Sequence, residues 1–477
     1  MSDCQSQSNE TCCAATATEC ADVNASCRLP VLQLFFGAAC WLVVSSALAL
    51  IASIKLHAPN FMGDCPFFTY AHVHAAHLNA LAYGFAAQAA LGVTLWLLAQ
   101  TGKTKLALPG GALIAAKLWN LGVLVGVVSI FAGNQTGFEF LEFSQAGSVI
   151  LFVAYVMLAL AGLLTFAKRT ASDCVSQWFL VTALFWFPWI YLTATSLLGC
   201  MPVRGVTQAV IAWWFTNNFL FVWLGLVALG AIFHFAPKFA GRPLHSRQLA
   251  LFSLALLISF GSWAGIPASA PVPAWLPALS AFGAFISVVA VIAVFVNISK
   301  TFASCQRNEC DVAGKFFCKS VPALALFAVA NALASKAHCA GIVNFTWFMV
   351  ALNYLLLYGF VGMVLLGAIY YIAPRLAGVD YCCTSPIKAH FWLMLVGTIL
   401  LVGSLMLAGK TQGNLLNQPN VAFADVTHSM MKFFRMSTLG DLLILLGSFA
   451  LLLSLVGLLR AACKKCCGKS NCSEVSK

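Results

Sequence analysis

Charge is what this chain has least of. Only 8% of its 477 residues are Asp, Glu, Lys or Arg, and only 14 are acidic, whereas a soluble domain carries about a quarter. That shortage excludes a soluble globular fold, whose surface needs charge to stay hydrated. Histidine is scarce too, nine residues in all, with none between Ser246 and Ala337, so metal chemistry has few imidazoles to draw on. The N-terminus lacks the apolar core of a cleavable signal peptide. Residues 1–29 are polar and cysteine-rich, and the first apolar run is expected to serve as an uncleaved insertion signal. No stretch shows the alternating, roughly ten-residue pattern of a transmembrane barrel strand. No internal repeat of the kind found in secondary transporters is evident.

What is present is hydrocarbon. The chain is 61% hydrophobic, and continuous apolar runs recur from Leu29 to Leu459. A helix needs about 20 apolar residues to cross a bilayer, and backbone groups in lipid must be satisfied within the segment. The expectation is an all-α membrane protein of about twelve transmembrane helices. The spans are read at 31–54, 69–99, 111–132, 144–167, 176–199, 206–235, 246–265, 275–300, 317–335, 343–373, 387–409 and 437–460. One membrane domain, 30–460, is then flanked by a polar Cys-rich tail, 1–29, and a basic Cys-rich tail, 461–477.

Lys and Arg divide unevenly between the two faces. The tails and even-numbered connections hold 19, the odd-numbered connections 6, and Lys117 lies within a span. The positive-inside rule places both termini in the cytoplasm. The net charge of +12 is mostly this bias and calls for no nucleic-acid partner; the lipid bilayer is the partner that composition implies. Cysteines crowd both tails, where a reducing compartment disfavours disulfides. Cys463-x-x-Cys466-Cys467 is read as free thiols, a metal site being the alternative, since no second ligand pair follows at finger spacing.

Polar groups inside spans are expensive and informative. The second span opens with His72, His74 and His77. His74 and His77 share a helix face, and a buried neutral imidazole can be an axial haem ligand; the alternative is a hydrogen-bonded cluster at the interface. Glu139 and Glu142, three apart in a loop without nearby Lys or Arg, could bind a divalent cation such as calcium, or form a solvated acidic loop. Asn217, Asn218, Asn353 and Tyr354 lie mid-span, where interhelical hydrogen bonding is the default role. Lys117 is read as snorkelling to the interface.

Four landmarks in order resemble subunit I of the haem-copper oxidase superfamily, closest to the C-type cytochrome c oxidases and nitric oxide reductases. They are His77-Leu78-Asn79-Ala80 with Tyr83-Gly84; Gly137-Phe138-Glu139-Phe140-Leu141-Glu142; Trp213-Trp214-Phe215-Thr216-Asn217-Asn218 followed by Trp263-Ala264-Gly265; and Gly367-Ala368-Ile369-Tyr370-Tyr371 with Pro374-Arg375. The resemblance covers about Leu34 to Leu459 and implies a twelve-helix bundle. It also implies a bacterial cytoplasmic membrane, other membrane subunits, a cytochrome c-type partner, haem, and calcium near the Glu139–Glu142 loop.

The departures are as specific as the matches. The copper ligands of the family fall on Asn217, Pro267 and Ala268, and the tenth-helix His-x-His falls on Leu352-Asn353-Tyr354. An amide is a poor copper ligand, so no copper is expected. Of six expected ligands His77 alone remains. One b-type haem is the most that His77, with Tyr354 or His74, could hold; tyrosinate ligates iron in catalases. The functional expectation is therefore a subunit I homologue without the binuclear centre, acting as scaffold or single-haem electron relay. The alternatives are an active terminal oxidase or nitric oxide reductase, and a membrane transporter.

Overall fold

The computed structural model describes residues 17–302 and 312–474. Among these the chain is helical throughout, with no strand. Eleven helices are long and apolar enough to cross a membrane. They are α1 (Ala17–His57), α2 (Tyr70–Gly102), α3 (Pro109–Phe131), α4 (Gln145–Ala167), α5 (Val175–Cys200), α6 (Thr207–Ala240), α8 (Trp275–Phe302), α9 (Val312–Ala334), α10 (Trp347–Ala377), α11 (Ser385–Leu416) and α12 (Phe423–Glu474). The twelfth apolar helix, α7 (Arg247–Ser259), is short.

Two polar ties set α7 antiparallel to α8. The Ser246 amide donates to Asn297 at 3.0 Å at one end, and the Ile266 amide donates to Ser280 at 2.9 Å at the other. The protein is a multi-pass membrane protein. Most span ends lie within a few residues of their expected places; α1 starts early, α11 runs on past 409 to Leu416, and α12 extends at both ends, past 460 to Glu474. Helix α1 starts at Ala17, so residues 17–29, read as tail, extend the helix. Val23 and Cys27 are buried there, and Asn24 accepts from Trp96 Nε1 at 3.0 Å and from Gln100 Nε2 at 2.8 Å. Helix α12 starts at Phe423, so Lys432 and Arg435 sit on a helix rather than in a loop. The side chains of Cys466 and Cys467, like Cys4, Cys12 and Cys13, lie outside the described residues.

Three helices form the centre. The most apolar windows of α2 and α6 are wholly buried and that of α10 is 94% buried, against 56% or less in the other eight long helices. Helices apolar on all sides belong inside a bundle. Each carries a π-helical stretch in mid-membrane: Ala80–Ala87 in α2, Asn218–Leu224 in α6 and Leu355–Gly362 in α10. The α10 stretch touches the other two. Such wide turns concentrate at functional sites. Helices α6 and α10 also end alike, on Ala236-Pro237-Lys238-Phe239-Ala240-Gly241 and Ala373-Pro374-Arg375-Leu376-Ala377-Gly378, each closed by a left-handed glycine. This repetition went unrecognised in the sequence because it spans only helix ends and helical geometry.

Candidate functional site

The site sits where α2 and α10 begin, on the face with few cations. Thr69 caps α2, its hydroxyl accepting from the His72 amide at 3.3 Å, which starts the helix just before its three histidines. His74 is half-buried and stacks on Tyr70 with ring centres 5.2 Å apart. One turn further in, His77 is buried and fully engaged. Its Nδ1 lies 3.0 Å from the Ser45 carbonyl, and its Nε2 lies 3.1 Å from the Tyr354 hydroxyl. A carbonyl only accepts, so Nδ1 carries the ring proton and Nε2 offers its lone pair to the Tyr354 O–H. The Ser45 hydroxyl donates back to the His77 carbonyl at 3.1 Å.

This geometry tests whether haem fits. A metal sits about 2 Å from an imidazole nitrogen, so two opposed axial ligands stand about 4 Å apart. At 3.1 Å His77 and Tyr354 leave no room for an iron, and the lone pair that would bind it accepts a hydrogen bond. The space between these residues and Asp441 is a small pocket of about 20 Å³, room for one water and far short of a porphyrin. His77 and Tyr354 are brought together as the alignment implies, but as a hydrogen-bonded pair.

Of the residues at the expected copper positions, Asn217 is engaged in structure, as is its neighbour Asn218. Asn217 Nδ2 donates to the Gly261 carbonyl at 3.0 Å, and Asn218 Nδ2 donates to the Ser262 carbonyl at 2.9 Å. Together they fasten α6 to the turn after α7. Gly265 has φ +105° and packs against Asn217 so closely that a Cβ would collide with the asparagine side chain, which explains glycine in the Trp-Ala-Gly landmark. Leu352 is buried and offers no donor atom.

The two glutamates part company. Phe140, at φ +63°, turns the loop between them, and the Tyr83 hydroxyl pins that turn by donating to the Phe140 carbonyl at 2.8 Å. Glu142 is buried and accepts from Asn79 Nδ2 at 2.7 Å. Burial pushes its carboxyl up to about 8 against the Asn79 hydrogen bond, with Glu139 adding repulsion. Glu139 instead faces a cavity, where its surface stays accessible while the surrounding protein displaces bulk water; that desolvation raises its carboxyl, and a hydrogen bond from Asn353 opposes the rise. A hard divalent cation needs several ionised or carbonyl oxygens at once. Among the described residues no group of three or more His, Cys, Asp or Glu gathers for a metal ion. The expected outcome is that calcium, against a chelator, leaves the melting temperature at pH 7 unchanged; a calcium-dependent rise lost in the Glu139→Ala/Glu142→Ala variant would restore the calcium reading.

The cavity that Glu139 faces measures about 650 Å³. Tyr70, His74, Trp213 and Trp347 form walls, and Asn217, Leu352 and Asn353 contribute to its lining. His72 lines neither cavity. Sequence reasoning missed Asp441, which is buried inside α12 and borders the small pocket with Ser53. An acid within an apolar run was the available signal.

A family profile described as cytochrome c and quinol oxidase polypeptide I matches residues 30–443. The chain belongs to that family. It is a haem-copper oxidase subunit I homologue. It is 23% identical over 385 residues to the cbb3-type cytochrome c oxidase subunit CcoN1 of Stutzerimonas stutzeri, covering 78% of this chain and 81% of that one. It is 22% identical to a cytochrome c oxidase subunit 1 homologue of Agrobacterium tumefaciens, covering 86% and 79%. A haem-copper terminal oxidase dimer solved by cryo-EM shares the fold, with a TM-score of 0.71 at 13% identity over 93% of this chain and 84% of the other. Within this subunit I framework, the π-helical stretches of the three central helices begin at or just after His77-Leu78-Asn79-Ala80, Asn217-Asn218 and Leu352-Asn353-Tyr354.

Proposed function

We propose that this subunit I homologue lacks the binuclear centre and carries no electron-transferring haem, and that it serves as a structural membrane subunit of a respiratory-type complex. The observation that carries this reading is the 3.1 Å hydrogen bond between His77 and Tyr354, which fills the position an axially bound iron would take. The Asn217 and Asn218 ties support it, because they use the sixth-helix polar groups to hold backbone. A cytochrome c-type electron donor then has no internal acceptor, and association with other membrane subunits is the remaining role. The cation-rich face, with both termini, is read as cytoplasmic in a bacterial inner membrane.

The test is a reduced-minus-oxidised spectrum of the purified protein with a pyridine haemochrome assay on the same sample. The expected result is no haem band. Two haems per chain with a carbon monoxide shift would overturn the reading and return an oxidase. One haem, lost in His77→Ala while the protein stays in the membrane, would replace the scaffold by an electron relay.

A further inference from the structure

The cavity of about 650 Å³ has the size of a small-molecule site, and its walls are selective in charge. Among the described residues Glu139 is the sole formally charged group in its lining, and it is exposed. The pocket of about 20 Å³ behind it shares the Tyr70, His74 and Trp347 walls and adds Asp441, again with no Lys or Arg in its lining. A cation entering the large cavity from the cation-poor face meets Glu139, with Asp441 behind the shared wall; an anion meets no Lys or Arg among the described lining residues. The carboxylates of a haem would be of the wrong sign for these walls. Tyr70, Trp213 and Trp347 bring aromatic rings to the lining, a residue type that attracts cations electrostatically, and Leu220, Phe221 and Leu356 bring hydrocarbon. A bare metal ion would not use that hydrocarbon, and the space is too wide to strip its water.

We propose that this cavity binds a small organic ammonium ion with an apolar body, Glu139 supplying the counter-charge and Tyr70, Trp213 and Trp347 the π faces. The inference rests on the cavity being free of haem. The haemochrome assay on the same sample separates the two: haem found defeats the scaffold reading, whereas failed binding without haem defeats this inference alone.

The probe is benzyltrimethylammonium chloride, titrated into the full chain in an uncharged detergent, with tryptophan fluorescence and melting temperature as readouts. Saturable binding is expected, with no response to sodium chloride or to sodium benzoate at equal concentration. Glu139→Gln should weaken binding about tenfold or more, since truncating one partner of a close charge pair costs at least that factor, and Glu139→Asp should recover part of it. Thr216→Lys, which sets a cation in the wall, should abolish it, and size-exclusion elution as the parent confirms that each variant is folded. Absence of saturable binding by the folded parent would overturn the proposal. So would benzoate binding like the cation, or a folded Glu139→Gln variant with parental affinity.

Discussion

Raising the pH from about 5 to about 9 is expected to destabilise the folded protein by on the order of 4 kcal/mol through Glu142 alone. The carboxyl sits at about 8 in the folded chain against an ordinary value of 4.5. Between those values the folded state holds a proton that the unfolded state has released. Stability therefore falls as pH rises: the contribution is fully present below the unfolded value and is lost as pH passes through the folded one. The cause is burial, since ionising Glu142 would place a charge beside Asn79 and near Glu139 with no cation in contact. Glu142→Gln keeps a carbonyl acceptor for the 2.7 Å bond from Asn79 and removes the titration. Denaturant melts of parent and variant at both pH values check this. The variant should fall little between them, and its advantage should appear at the alkaline end. An equal slope in both proteins would assign the pH dependence to other groups.

Filling the Gly409–Gly413 notch in α11 should be as damaging. A Cβ at Gly409 would strike the Phe348 backbone, and one at Gly413 the Ile342 carbonyl. Both obstacles are backbone, which cannot rotate away. Small residues four apart let membrane helices approach closely, and here they seat the short helix Ala337–Val343 and the start of α10 against α11. Gln412 Oε1, between the two glycines, accepts from the Trp347 amide at 3.1 Å and locks the same contact. Gly413→Val is expected to cost about 3 kcal/mol or more, the upper part of the range for overpacking, and to lower the thermal midpoint in detergent. Because Asn344, Phe345 and Trp347 line the large cavity, the same variant should also lose its ammonium binding. A parental melting temperature would show that these helices can separate at little cost.

Much was readable in the residues because it depends on composition and order along the chain. Twelve apolar runs and four landmarks in sequence are one-dimensional signals; the runs recur as helices, and the family profile spans the landmarks. The landmark glycine Gly265 could be matched in sequence, but its reason, contact with Asn217 at a positive φ, is a three-dimensional one. That Asn217, Pro267 and Ala268 bring no imidazole was also legible, since residue type is read directly along the chain.

What the sequence could not decide is who faces whom. Asp441 stands 388 residues from Ser53 by chain and beside it in space, bordering one pocket with His77 and Tyr354. Glu139 and Glu142 are three residues apart and looked like one acidic pair. A residue with positive φ between them sends one carboxyl to Asn79 and the other into the cavity. The sequence by itself determined the membrane, the bundle and the family, because hydrophobic burial and the positive-inside bias add up residue by residue. Only the tertiary structure decided that His77 is a hydrogen-bond acceptor for Tyr354, because whether a lone pair is free depends on a distance of 3.1 Å between helices 277 residues apart.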